Sequence, residues 1–394
     1  MKADVAIAGG GLSGALIAWR LRQARPDLRV AVVERGPALG GNHTWSFHDS
    51  DLPPERAAWM APLVVHHWPR QEVRFPSHER VLETGYNSAT SHRLHEVVAP
   101  VVGDGLVLGA GVSDVAADGL RLDDGQRVSA GAVIDARGQR EAEALTIGYQ
   151  KFFGQEVRFA EPHGLAAPII MDATISQADG YRFVYVLPFA EDAALVEDTY
   201  YSDGAALDAD ALRGEIAAYC ARAGWRVAEI VREEAGVLPI ALAGDIRAHL
   251  AASPEGVGVA GLRAGLFHPL TGYSLPDAAA LADEVAAAAD FSGPAIARLT
   301  RGYAERRWRE RGYYRLLSRL LYYASTPEGR YKVLGRFYRL SRPLIERFYA
   351  SRMSAQDKAR VLVGKPPVSF RRALECVDEE QWLARCWRPR VAGE

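Results

Sequence analysis

The sequence feature that most constrains the fold is a glycine-rich turn near the start of the 394-residue chain. An apolar run leads into Gly9, Gly11 and Gly14, and a helical pattern follows. With this spacing, the first glycine permits a tight turn, the second admits a pyrophosphate close to the backbone, and the third lets the helix pack on the strand. A helix that starts at Leu12 and Ser13 directs free N–H groups at phosphates. The turn therefore predicts a bound dinucleotide.

The residues that follow support the same prediction. A second apolar run, at residues 30–34, ends in Glu34, 20 positions after Gly14. A carboxylate at this place accepts hydrogen bonds from a ribose. Arg35 comes next, and the glycine pair that includes Gly41 brings another backbone turn near the ligand. The alternative is a glycine-rich turn in an unrelated βαβ unit.

Composition excludes several classes of protein. Hydrophobic residues make up 48% of the chain and charged residues 24%, which is typical of globular proteins, and the net charge of −2 gives no general attraction to nucleic acid. The three cysteines are widely spaced, so neither a metal cluster nor a disulfide scaffold is expected. No apolar run of about 18 residues is present, so no transmembrane helix is expected. No secretory signal is visible.

The pattern of elements predicts an α/β protein with three regions. Residues 1–145 and 245–295 form a Rossmann-type domain, in which the strand before Gly138 returns beside the first strand. Residues 64–86 and 146–244 contain long extended segments, which predict an antiparallel-sheet domain for the substrate. Residues 296–394 form a helical C-terminal region. Within the first domain, Ser91 is the predicted N-cap of a helix over residues 91–102.

An acidic pair lies in one of the extended segments. Glu197 and Asp198 follow an apolar run and precede Tyr200 and Tyr201. Neighbours in a strand point to opposite faces, so both acids cannot face one pocket unless the strand ends or bulges there. A carboxyl in an apolar pocket has a raised pKa and can act as a general acid. The alternative is a strand-end pair that faces water, and the spacing alone favours neither.

Two loops have the composition of a site wall. The first contains His43, Trp45 and Phe47, and its alternative interpretation is a loop packed by its own aromatics. The second, at residues 261–275, leads into a helix whose start can meet the ligand. Many flavoproteins have Gly-Asp where this loop begins, but this chain has Gly261 and Leu262. That difference argues against an ordinary flavin hydroxylase.

Residues 301–350 are basic and aromatic. They contain 13 Lys and Arg against four Asp and Glu, and 11 of the 36 aromatic residues. Arginines beside aromatics suit a membrane surface. The alternative is a helix bundle that packs its aromatics inward.

Together these stretches resemble the bacterial lycopene β-cyclases of carotenoid biosynthesis. Two strings carry most of the resemblance: Gly-Asn-His-Thr-Trp-Ser-Phe-His at residues 41–48 and Phe-His-Pro-Leu-Thr-Gly-Tyr-Ser at residues 267–274. The glycine turn with Trp19-Arg-Leu-Arg22 and the Glu197-Asp198 pair before Thr199 add to it. The resemblance begins at residue 3 and extends at least to the basic helices.

The resemblance implies a glutathione-reductase-like two-domain flavoprotein that binds FAD. The flavin would act reduced, with NADPH as the electron source and no net redox change. Glu197 would protonate a terminal double bond, and Asp198 would assist. Substrates would be lycopene and related linear carotenes, at the cytoplasmic face of the inner membrane, with the protein bound peripherally. The residues expected at the cofactor are Gly9, Gly11, Leu12, Ser13, Gly14, Glu34, Arg35, Gly41, Gly138, Gly265, Gly272 and Tyr273; those expected at the substrate are His43, Trp45, Phe47 and His268.

Three other functions share these features. A flavin monooxygenase would require oxygen, and a geranylgeranyl-type reductase would consume reductant in proportion to product. A flavin-binding membrane module without activity is the third alternative. No metal site is predicted, and the oligomeric state is left open.

Overall fold

A computed structural model describes residues 1–140, 144–177, 180–364 and 367–386. The strands in this part of the chain are, in order, β1 (Lys2–Ala8), β2 (Val30–Glu34), β3 (Thr44–His48), β4 (His66–Trp68), β5 (Gln71–Phe75), β6 (His78–Leu82), β7 (Tyr86–Thr90), β8 (Leu106–Leu108), β9 (Val112–Ala116), β10 (Gly119–Leu122), β11 (Arg127–Asp135), β12 (Leu145–Phe159), β13 (Ile169–Asp172), β14 (Tyr181–Ala190), β15 (Ala193–Ser202), β16 (Val227–Gly244) and β17 (Val257–Val259).

The helices within the same ranges are α1 (Leu12–Ala24), α2 (Pro54–Met60), α3 (Ser91–Val102), α4 (Ala209–Arg222), α5 (Ile246–Ala251), α6 (Leu275–Ala286), α7 (Gly293–Glu310), α8 (Gly312–Arg319), α9 (Arg330–Phe337), α10 (Arg342–Tyr349), α11 (Ala355–Leu362), α12 (Phe370–Glu375) and α13 (Glu379–Cys386). The N-cap of α3 is Thr90, whose side chain accepts from the N–H of Arg93, and Ser91 is the first helical residue. The predicted cap at Ser91 was therefore wrong by one position.

The first sheet has the strand order β8-β2-β1-β11-β10-β9, and β17 pairs with β11. β1, β2, β8, β11 and β17 are parallel to one another, whereas β9 and β10 pair antiparallel. Helix α1 follows β1 directly and packs against α3 and α6. A Cβ built on Gly14 would lie 2.0 Å from the carbonyl oxygen of Gly9, so only glycine allows this approach. This arrangement confirms the predicted strand, turn and helix, and the return of β11 beside β1.

The second sheet has the order β16-β12-β15-β14-β13-β5-β6. β16, β12, β15 and β14 pair antiparallel, as predicted, but β13 and β5 are parallel. Helix α4 covers one face of this sheet with an apolar cluster, and the other face is turned toward a cavity.

A small third sheet, β3-β7-β4, corrects two expectations. Residues 44–48 form a strand rather than a loop, because β3 pairs antiparallel with β7. Residues 64–86 were all placed with the substrate sheet, but only β5 and β6 join it. β4 pairs with β7 instead.

The C-terminal helices pack their aromatic side chains inward. Tyr314, Tyr322, Tyr338 and Phe348 are buried against the second sheet and one another. The expectation that the aromatics of residues 301–350 form a membrane surface was therefore wrong for these rings, because the sheet already covers them. None of the described helices has both the length and the apolar character needed to cross a bilayer. The predicted region 296–394 includes residues 365–366 and 387–394, which lie outside the described part.

Candidate active site

A cavity of about 680 Å³ lies between the first sheet and the free face of the second. The wall on the first-sheet side includes the turn at Gly9 and Gly11, the end of β2 at Glu34, and Gly138 after β11. On the other side, the second sheet contributes Glu197 of β15. Parallel strands end at the same edge of a sheet, so residues distant in sequence meet here. The sequence-predicted residues that line the cavity, on either side, are Gly9, Gly11, Leu12, Ser13, Glu34, Arg35, Gly41, His43, Trp45, Gly138, Glu197, Gly272 and Tyr273.

The glycine turn presents bare backbone to this cavity. Gly9 has a φ of 97°, and a Cβ there would lie 2.7 Å from the carbonyl oxygen of Ala136. Gly11 is the N-cap of α1, no side chain caps the helix, and a Cβ built on Gly11 would meet nothing within 4 Å. A helix start with open space before it and no side-chain cap suits an anion such as a pyrophosphate.

Glu34 is held in place at the end of β2. Its carboxylate accepts hydrogen bonds from the backbone N–H groups of Gly10 and Gly36, each at 2.7 Å. A carboxylate has further lone pairs, so it can also accept from the hydroxyls of a ribose. This geometry suits the role expected of Glu34.

Sequence reasoning did not identify two arginines of the same wall. Asp135 is buried at the end of β11 and pairs with Arg137 at 2.9 Å and with Arg263 at 3.2 Å. One carboxylate therefore partly offsets two guanidinium groups beside the cavity. A signal was available, because Arg137 precedes Gly138 and Arg263 follows shortly after Gly261.

Glu197 points from β15 into the cavity. Thr199, two positions later on the same face, donates its hydroxyl to Glu197 Oε1 at 2.7 Å. The carboxyl retains some accessible surface only because it faces the cavity. Protein surrounds it otherwise, and this burial raises its pKa to about 8. The side chain is therefore mostly protonated at neutral pH.

Asp198 lies on the opposite face of the same strand. Its side chain is fully buried under α4 and accepts from both Nε and Nη2 of Arg182, which also bonds Glu215 of that helix. The alternation of β15 continues without a bulge at this pair. The structure therefore brings Glu197 to the cavity and leaves Asp198 away from it, as strand parity requires.

Aromatic rings form much of the remaining wall. These are Trp45, Phe152, Phe183, Tyr185, Tyr201, Tyr273 and Tyr349. Behind them, the hydroxyl of Tyr86 is hydrogen-bonded to the hydroxyls of Tyr185 at 3.0 Å and Tyr273 at 2.7 Å. Tyr185 donates its hydroxyl to Ser46 at 2.6 Å. Burial raises the pKa of Tyr185 and Tyr273 well above the ordinary value, so both remain neutral. Of this set, only Trp45 and Tyr273 were predicted, although Phe183 and Tyr185 share one face by the alternation of β14.

Besides Asp198, four of the predicted site residues do not line the cavity. Gly14 packs against Gly9 instead, and Gly265 ends a short turn with φ of 67°. Phe47 is buried in the core of the first domain. His268 is also buried, accepts at Nδ1 from the N–H groups that follow it in its loop, and donates from Nε2 to the carbonyl of Phe348 at 3.2 Å. Burial lowers its pKa to about 3, so this imidazole is neutral, and its hydrogen bonds fix the loop.

Comparison with known proteins identifies the family. The family model described as lycopene cyclase protein matches residues 4–375. The chain belongs to the lycopene cyclase family. It is 51% identical to a lycopene beta-cyclase from Pseudescherichia vulneris over 93% of this chain and 94% of that protein. It is 46% identical to one from Pantoea ananas, over 95% and 97%, and 46% identical to one from Paracoccus sp., over 97% and 99%.

Solved structures with low identity show the shared fold. A geranylgeranyl bacteriochlorophyll reductase-like protein from Thermoplasma acidophilum matches with a TM-score of 0.65 at 13% identity, over 95% of this chain and 99% of that chain. A probable FAD-dependent monooxygenase from Pseudomonas aeruginosa matches with a TM-score of 0.54 at 18% identity, over 86% and 100%. At these identities the likeness shows a shared α/β fold and not a shared reaction.

Proposed function

We propose that the protein is a lycopene β-cyclase in which Glu197 is the acid that starts ring closure. Its family membership and its three curated relatives support the reaction. The observation that carries the assignment of the acid is a carboxyl that faces the cavity and has a pKa of about 8. An alkene is a weak base, so its protonation requires an acid that is held neutral in a dry site.

The proposed reaction changes neither the mass nor the oxidation state of the carotene. The proton of the Glu197 carboxyl is transferred to a carbon of the terminal double bond, which leaves a tertiary carbocation. A neighbouring double bond attacks this cation and closes the six-membered ring, and the cation moves into the ring. Loss of a ring proton to the Glu197 carboxylate left by the first step then gives the β-ionone end and restores the acid. Closure at one end yields γ-carotene, and closure at the other yields β-carotene.

The aromatic wall is suited to the cation. Ring faces attract positive charge, and the rings of Trp45, Phe183 and Tyr185 surround the space that Glu197 faces. These rings also keep water from the cation, which water would otherwise capture as an alcohol. Asp198, which pairs with Arg182 behind β15, would then act by fixing the strand that carries Glu197.

The first-sheet wall would hold FAD. The backbone of Gly11, Leu12 and Ser13 would bind the pyrophosphate, Glu34 would bind a ribose, and Arg137 would add positive charge. When bound and reduced, the flavin would supply negative charge near the carbocation, with NADPH as the source of electrons. The division into residues 1–145 with 245–295, residues 64–86 (apart from β4) with 146–244, and residues 296–394 belongs to the same proposal, as does the glutathione-reductase-like type.

The substrate implies work at a membrane. Lycopene is apolar, so the protein would act as a peripheral protein on the cytoplasmic face of the inner membrane. The inward packing of the aromatic helices means that exposed arginines, rather than rings of residues 301–350, would provide attraction to the lipid.

The test is to supply lycopene in liposomes with the purified protein and reduced FAD, without oxygen. A product of unchanged mass with a blue-shifted absorption spectrum indicates cyclisation. A product two hydrogens heavier would identify a reductase, and turnover that begins only with oxygen would identify a monooxygenase. Absence of product under every condition would favour a binding module. Either the reductase or the monooxygenase result would refute the proposed reaction.

A further inference from the structure

A second buried carboxyl lies beside the proposed acid. Glu234 on β16 is 3% exposed and sits on the same face of the second sheet as Glu197. Gly154 of the intervening strand β12 pairs with Glu197 on one side and with Glu234 on the other. The two glutamates therefore stand in one row across the sheet, with a glycine between them.

The glycine opens the space that the two side chains share. A Cβ built on Gly154 would lie 3.3 Å from the Cβ of Glu197 and 3.3 Å from the Cγ of Glu234. A side chain of β12 at this position would therefore contact both glutamates. Cδ1 of Leu195 lies 3.2 Å from the same point, so the two glutamates adjoin an apolar group there and no polar side chain of β12.

Glu234 is held by an arginine and a threonine. Its Oε2 accepts from the hydroxyl of Thr44 at 2.9 Å and from Nη1 of Arg232 at 2.6 Å. Arg232 also donates to Thr44 at 2.8 Å and to Glu156 at 2.7 Å. Two carboxyls, Glu234 and Glu156, thus share one guanidinium. Among the described residues Glu197 has no ion pair, so a third negative charge there would have no cation of its own.

We propose that Glu234 is a positioning residue whose fixed negative charge keeps Glu197 protonated. This inference rests on the proposed function, in which Glu197 donates the proton. Like charges close together cannot both ionise, and the one without a cation takes the proton. Glu234 does not line the cavity, so it acts through Glu197 and not on the substrate.

The other charged or titratable groups around the pair do not replace this role. Arg232 contacts both Glu234 and Glu156, so one positive charge faces two carboxylates and the group as a whole stays negative. Burial lowers the pKa of His43 below its ordinary value. The hydroxyl of Tyr185 is neutral, and Asp198 faces the other side of the sheet with Arg182. Burial is the largest cause of the raised pKa of Glu197, and the charge of Glu234 is the next.

The test is Glu234→Gln in the FAD-loaded protein. The midpoint at which Glu197 loses its proton is measured by difference infrared spectroscopy, with the carboxyl band assigned by its loss in Glu197→Gln. We expect the midpoint to move down by about one pH unit or more. A midpoint that falls from 8 to 7 leaves about one tenth of the acid protonated at pH 8, so cyclisation at that pH should fall about fivefold. At pH 6 the rate should change little.

The neighbouring glutamate provides a matched control. Glu233 faces α4, where it bonds Arg213 at 2.7 and 2.8 Å, so Glu233→Gln removes the same charge from the other face. It should leave the midpoint of Glu197 unchanged. Glu234→Asp keeps the charge and should hold the midpoint closer to the wild-type value than Glu234→Gln. If circular dichroism shows that Glu234→Gln does not fold, Glu234→Met removes the same charge and should give the same downward shift.

The infrared readout separates this inference from the proposed function. An unchanged or higher midpoint without the charge of Glu234 overturns the inference, even if the protein cyclises lycopene. A lowered midpoint supports it, even if no cyclised product is found and the proposed function fails.

Discussion

Replacing Glu197 by Gln should abolish activity and at the same time make the fold less sensitive to rising pH. The amide keeps the length of the side chain and an oxygen for the hydroxyl of Thr199, but it cannot donate an acid proton. Loss of a general acid typically lowers rates by about 10² to 10⁴. We expect a loss at the upper end of this range, because water in the cavity is too weak an acid to protonate an alkene.

The effect on stability follows from the pKa of about 8 in the folded protein, against an ordinary value of 4.5. Between these values the folded state binds a proton that the unfolded state has lost, so the free energy of unfolding decreases as pH rises through this window. Because the two pKa values differ this much, raising the pH from 5 to 7.5 reduces the free energy of unfolding by at most about 3 kcal/mol. The figure is an upper value because Glu197 is only partly buried, so solvent screens its charge while no substrate fills the cavity. Gln is neutral throughout and lacks this dependence.

The assay is urea unfolding of both proteins at pH 5 and pH 7.5, followed by tryptophan fluorescence. The stability of Glu197→Gln relative to wild type should increase between the two pH values by up to about 3 kcal/mol. Glu233→Gln is the control, because ion pairing with Arg213 lowers the pKa of Glu233 to about 2 and places its transition below this window. Parallel stability curves for Glu197→Gln and wild type, or retained cyclisation, would refute the reasoning.

Three further substitutions test other parts of the site. Gly11→Val fills the open space before α1 and should weaken flavin binding by at least about tenfold with the fold retained, as measured by flavin absorbance after gel filtration; tight retention would contradict the cofactor position. Thr199→Val removes a hydroxyl that favours ionised Glu197, so the pKa of Glu197 should rise and the upper limb of the rate profile should move to higher pH; a downward move would count against this contact. His268→Asn removes hydrogen bonds within a buried loop and should lower the free energy of unfolding by about 2 kcal/mol in thermal unfolding. Cyclisation by the folded protein should stay within about threefold of wild type. A much larger loss of activity would show that His268 takes part in the reaction.

The local sequence pattern correctly predicted the first sheet and the placement of Glu197 and Asp198 on opposite faces of β15. The glycine spacing at Gly9, Gly11 and Gly14 imposes backbone geometry directly, and strand alternation separates Glu197 from Asp198 without tertiary information. Residues 44–48 were interpreted as a loop because they follow a glycine pair and are polar and aromatic, although Trp45 and Phe47 alternate with polar residues. They became a strand through pairing with β7, which is a long-range contact.

The residues that were missed depend on contacts between distant elements. Glu234 and Gly154 acquire a role only when β12 lies between β15 and β16, and sequence alone does not give that strand order. His268 belongs to a specific string, which drew attention to it as a substrate residue. The structure shows instead that both ring nitrogens are used to fix its own loop.

The buried arginines of the C-terminal helices change how the charge of this region is interpreted. Arg311, Arg315, Arg319 and Arg330 are each at most 6% exposed, and each donates to at least one backbone carbonyl as well as to a carboxylate. A guanidinium can serve several such acceptors at once, whereas an ammonium group is a single point of charge. Arginine and lysine are therefore not interchangeable at these four positions. Part of the basic character of the region joins helices to sheet, and a local charge count overstates the attraction that its outer surface exerts on anionic lipid.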